Sequence, residues 1–195
     1  MNKASKQILI SLFVSLVALA VGIWLFMYSS LGMGGLRAIS PLAQLPDTIE
    51  SPSIEIYRQV IDNMGEGGRA FYLSNIRLID SFFPFLYTMP LFILLVAATR
   101  RSIGRPLVQK TIPIVAFIPA VFDLLENHYL HTLVHDFPTV EQSIVQKTLF
   151  FTTAKAITRD ILFYSVVFYW IVVGITLLIQ YIKGEYRRQL EKESH

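Results

Sequence analysis

The chain contains no cysteine. That absence excludes a disulfide framework, a zinc–thiolate site and a thiol nucleophile. Charge is scarce as well: Asp, Glu, Lys and Arg make up 16% of the 195 residues, and long stretches carry none. No serine or threonine lies in a nucleophile motif. Gly32, Gly34 and Gly35 make no phosphate loop, because neither a Lys-Ser/Thr pair nor a strand accompanies them. Internal repeats and low-complexity tracts are missing too. The basic residues fall in short clusters between apolar segments instead of along one face with interleaved aromatics. Nucleic acid is therefore not an expected partner, and no cofactor is implied.

What the chain does have is apolar length. Ile8 to Tyr28 is 21 residues without a charge, behind Lys3 and Lys6. About 20 such residues span a bilayer core as a helix. A cleaved signal peptide is the competing reading, but its apolar part would be about 7–15 residues and end in small residues. This run ends in Trp24, Phe26 and Tyr28, an interfacial aromatic belt. A second span is expected over 81–99, entered through Arg69, Arg77 and Asp80 and left through Arg100-Arg101. Pro84 and Pro90 should kink it, and each frees a carbonyl that needs a partner in a neighbouring helix, a side chain or a water. A third span is expected over 111–130, with Pro113 and Pro119 inside it.

From Val140 to Ile182 no proline occurs and the sole glycine is Gly174. A helix of that length reaches roughly 64 Å, about twice the bilayer core. Its first part must stand above the membrane or bend along it, so the fourth span is placed at 160–182, with a solvated tail over 183–195. The expected fold is an all-α polytopic membrane protein: one domain, four transmembrane helices in a bundle, and a short interfacial helix in the first loop.

That loop, about 29–76, is polar and broken by Gly34-Gly35, Pro41, Pro46 and Gly67-Gly68. Within it the expected helix covers 52–64, with Ser51 as cap, Pro52 at the first position and Gly65 as the stop. Ile54, Tyr57, Ile61 and Met64 form one apolar stripe, suited to lying on the membrane or roofing the bundle. Beyond the third span, Asp136-Phe137-Pro138 makes a turn, and Thr139 to Gln142 fits a capping box that starts the next helix. The N-terminus, the connection 100–110 and the tail carry two, four and four Lys or Arg residues. The positive-inside rule puts all three in the cytoplasm.

Asp123, Glu126 and Asn127 interrupt the third span at i, i+3, i+4, so they share one helix face. An ionisable group inside a membrane faces protein or a water-filled cavity and has a partner. Counting about 1.5 Å per residue from the cytoplasmic end puts Asp123 roughly 18 Å and Glu126 roughly 22 Å up a core about 30 Å thick. Asp80, just after Arg77, reaches the outer boundary and shares a face with Tyr87. Lys155 and Arg159, i and i+4 on the fourth helix, lie at that boundary, with Arg159 roughly 12 Å above Glu126. Tilt and side-chain reach bring this basic pair towards the acids. The candidate site is therefore Asp123, Glu126, Asn127, Lys155, Arg159, Asp80, Arg77 and Tyr87. Either these groups form a structural network that fixes helix register, or they line a polar pocket in which Asp123 and Glu126 bind a ligand or carry a proton. His131 and His135 have a spacing that can hold a metal, but histidine sits comfortably at an outer interface without one, and no metal site is expected.

Gly68-Arg69-Ala70-Phe71-Tyr72 leading to Asp80 and Phe83-Pro84, then Phe122-Asp123-Leu124-Leu125-Glu126-Asn127, then Thr153-Ala154-Lys155, resemble a group of small bacterial inner-membrane proteins of uncharacterised function. The resemblance covers about half of the chain and implies a bacterial inner membrane but no activity. Four spans, a long first loop and an acid at the start of span two are also similar in architecture to the emopamil-binding superfamily. No motif aligns with it, so no catalytic residue carries over. The leading expectation is a protein that holds a lipid-like or apolar molecule at an outer-side polar site, with no motif that decides whether it also acts on that molecule. The alternatives are an accessory subunit whose charges only pair helices, and a proton-coupled transporter working as an oligomer. Membrane lipid is the expected partner, and the oligomeric state is left open.

Overall fold

The computed structural model describes residues 3–46, 53–102 and 111–193. Among them the protein is helical throughout and has no strand. We number the α-helices α1 (Lys3–Tyr28), α2 (Met33–Ile39), α3 (Ile54–Asn63), α4 (Gly65–Phe71), α5 (Arg77–Ser102), α6 (Ile118–His135) and α7 (Gln142–Glu193). A π-turn, Tyr72–Ile76, joins α4 to α5, and a 3₁₀ segment, Ile112–Phe117, leads into α6. Helix α5 is central: α1, α6, α7 and the 3₁₀ segment all pack on it, and α6 packs along α7.

Among the described residues three segments are long and apolar enough to cross a membrane: Lys6–Ile39, Gly65–Thr99 and Gln142–Ile175. The expected third span, 111–130, is not one of them. Its regular helix begins only at Ile118, and Asp123, Glu126, Asn127 and His128 lower its hydropathy. Asp123, Glu126, Leu130 and Leu133 are buried on α6, so its polar face is covered by the neighbouring helices. By contrast α1 and α7 turn large apolar side chains outward, among them Leu9, Phe13, Ile161, Tyr164 and Phe168.

The prolines shape the elements that carry the site. Pro119 has no N–H to give the Val115 carbonyl, and the N–H of Ile118 bonds that carbonyl instead. The tighter i→i+3 pattern before α6 follows from that exchange. Pro84 likewise deprives the Asp80 carbonyl of its helical donor. Asn127 Nδ2 on α6 donates to that carbonyl at 3.2 Å, which supplies the neighbouring-helix partner the proline requires.

The loop helix forms as α3. Ser51 and Pro52 lie outside the described residues; the observed cap is Ser53, whose Oγ accepts from the N–H of Ile56 at 3.3 Å. The stop is Gly65, with φ +62°, a left-handed conformation that only glycine adopts without strain. Tyr57, Ile61 and Met64 are buried, and they pack in one cluster with Ile76, Leu130, Leu133 and Val145. The stripe therefore roofs the ends of α6 and α7. After α6 the chain turns through Asp136, Phe137 and a cis Pro138, and Thr139 N–H bonds the Asp136 carbonyl. Helix α7 starts later than the capping box at Thr139 predicts: the Glu141 carbonyl accepts from Ile144 and Val145, making Glu141 the cap. From Gln142 the helix is continuous through Glu193.

Candidate functional site

The polar groups form a layer between two apolar clusters. On one side lies the roof cluster; on the other, Ala116, Leu162 and Val166 pack with Leu91, Phe92 and Leu95. The layer is assembled from α5, α6 and α7. Asp123 and Glu126 share the inner face of α6, as their i, i+3 spacing requires. Opposite them, Thr148, Thr152 and Lys155 lie along one face of α7.

Lys155 Nζ pairs with both carboxylates: with Asp123 Oδ1 at 3.2 Å and with Glu126 Oε2 in close contact. Thr152 Oγ donates to Glu126 Oε1 at 2.6 Å and also bonds the Thr148 carbonyl. The Glu126 side chain is 0% exposed, so it lies behind the layer, out of reach of anything entering from outside. Tyr87 Oη on α5 donates to Asp123 Oδ2 at 3.1 Å. A carboxylate so deep is tolerated because ion pairing and hydrogen bonds replace its water.

A cavity of about 690 Å³ opens against this layer. Its polar end carries Asp80, Tyr87, Asp123, Lys155, Arg159 and Asp160. Its apolar walls are Leu16, Leu19, Ile23 and Phe26 on α1, Phe83, Leu91 and Leu94 on α5, and Phe163 on α7. Leu16, Ile23 and Phe163 are themselves exposed, so the cavity is continuous with the outward apolar surface of α1 and α7.

The structure thus brings Asp123, Lys155, Arg159, Asp80 and Tyr87 to one cavity, and Asp80 and Tyr87 share its wall as their spacing predicts. Glu126 and Asn127 support that wall without lining it. Arg77 stands apart: it is exposed at the start of α5, and its charge is felt by His131. The basic pair divides between two sets of acids. The cation on Glu126 is Lys155, one helical turn from Arg159, while Arg159 binds Asp160 through Nε and Nη2, both at 3.0 Å. The depth count placed Lys155 at the outer boundary, above the acids; side-chain bonding along α7 sets it level with them instead. Thr152, Asp160 and the α1 wall had no signal in the sequence beyond apolarity or proximity to Lys155.

His131 and His135 stack with ring centroids 6.0 Å apart. Burial, with the charge of Arg77, holds His131 below its ordinary value, and His135 Nδ1 lies 2.7 Å from Asp136. Among the described residues no group of three or more His, Cys, Asp or Glu side chains gathers to hold a metal.

No known family model, curated protein or solved structure matches this chain.

Proposed function

We propose that the protein is a multi-pass inner-membrane protein of four spans that binds a lipid-like amphiphile, its tail in the cavity and its head against Asp123. The cavity carries this reading, because it couples apolar walls to a few convergent polar groups, the usual composition of a small-molecule site. Its continuity with the outward faces of α1 and α7 supports entry from the bilayer. Three long apolar segments and the large apolar exposure on α1 and α7 support the membrane setting. The 3₁₀ segment and α6 as far as residue 130 supply the third span, shielded by its neighbours. The basic clusters support an orientation with both termini in the cytoplasm and the roof outside.

The charges divide between two roles. Glu126, Thr152 and Lys155 hold α6 to α7 as a scaffold, which is the part of the rival structural reading that the burial of Glu126 favours. Asp123 and Tyr87 face the cavity and meet the ligand.

The test is mass spectrometry of co-purified lipid beside thermal stability in detergent, for wild type and Asp123→Asn. The substitution keeps the shape, removes the charge and replaces one of the two acceptor oxygens by a donating amide. Loss of bound amphiphile from a protein that stays folded supports the site. Unchanged lipid content with a lowered melting temperature would leave Asp123 as scaffold alone.

A further inference from the structure

The head end of the cavity has an uneven charge balance. Its wall carries three carboxylates, Asp80, Asp123 and Asp160, against two cations, Lys155 and Arg159. A fourth carboxylate, Glu126, lies directly behind Lys155. Both cations are already engaged: Lys155 by Asp123 and Glu126, Arg159 by Asp160. An anionic head would therefore add a like charge to an acid-rich wall whose cations have partners. Between low-dielectric walls such repulsion is strong.

The hydrogen-bonding valences point the same way. A carboxylate only accepts, and Tyr87 Oη spends its single proton on Asp123, which leaves its lone pairs to accept. A head that donates to these acceptors, and can accept from the N–H groups of Lys155 and Arg159, fits the wall. A hydroxyl does so without bringing a full charge out of water. The size also fits one chain: at the ~30 Å³ that a water-sized group occupies, a cavity of about 690 Å³ holds roughly twenty non-hydrogen atoms.

Resting on the amphiphile reading above, we infer that this cavity selects single-chain amphiphiles whose head donates hydrogen bonds and carries no negative charge, and turns away phosphate-headed lipids. The class includes long-chain alcohols and monoacylglycerols.

The experiment titrates the full chain, in phosphatidylcholine nanodiscs, with lauroyl monoglycerol and with dodecyl phosphate, two probes of equal chain length. Calorimetry reads both affinities. The monoglycerol should bind at least about tenfold more tightly. Asp123→Asn should narrow that gap by raising the affinity for phosphate, and Leu94→Trp, which fills the apolar end, should weaken both probes alike. Phosphate binding as tightly as monoglycerol in the wild type overturns the head selection and leaves the amphiphile reading standing. If neither probe saturates the wild type, the amphiphile reading falls and takes the selection with it. The wild-type ranking decides the inference even where Asp123→Asn does not fold.

Discussion

Lys155 holds two carboxylates at once, and one of them, Glu126, has no contact with solvent. Removing Lys155 leaves two neighbouring carboxylates without their cation, which typically destabilises by about 3–5 kcal/mol. Lys155→Gln should lower stability by that order, measured by denaturation in detergent, and Glu126→Gln by less, because Lys155 keeps Asp123 as its partner. Combined with Lys155→Gln, the loss should be less than the sum of the singles, because both remove the same pairing. Combined with Arg159→Gln it should be additive within ~0.5 kcal/mol, because Arg159 belongs to Asp160. Strong coupling to Arg159 and none to Lys155 would reverse the assignment. At this scale the acidic face was legible in the i, i+3, i+4 spacing of Asp123, Glu126 and Asn127. The choice between two cations one turn apart was not. It depends on how α7 slides along α6, a register that the Glu126–Thr152 bond marks and that a depth count along one isolated helix does not contain.

The elements show a similar division. That Pro84 and Pro90 free carbonyls follows from proline chemistry alone. The identity of one partner, Asn127 on a different helix, needed the fold. The same bond offers a test of whether α5 and α6 are joined there. Asn127→Leu strands the Asp80 carbonyl and should destabilise by about 1–3 kcal/mol. Pro84→Ala restores a backbone N–H able to reach that carbonyl, so Asn127→Leu should do less damage in the Pro84→Ala background. Equal loss in both backgrounds, read by thermal melting, would detach Asn127 from the proline. The amphipathic stripe of α3 and the Gly65 stop were readable for the same reason as the prolines: each is a local rule of periodicity or backbone geometry. The later start of α7 was not, since Thr139 is drawn into the turn after α6.

For the whole molecule, the apolar segments and the helical class were written in the sequence, while the cavity was not. It depends on α1 and α7 flanking α5, and such tertiary placement leaves no periodic trace. The absence of native cysteine makes both whole-molecule predictions direct to test. A cysteine introduced at Gln44 in the roof should react with an impermeant thiol reagent in intact cells, and one at Glu193 should be protected until the cells are opened. The reverse pattern would invert the orientation. The central claim is that an apolar tail occupies the space between α1, α5 and α7. A long-chain alcohol with a photoactivatable group along its chain, added to the membrane-embedded protein, tests this most directly. Peptide mapping should find the label on cavity residues such as Leu19, Phe83 and Leu91, and less of it after Leu94→Trp. Label confined to outward residues such as Phe13 and Phe168, unchanged by Leu94→Trp, would contradict the account.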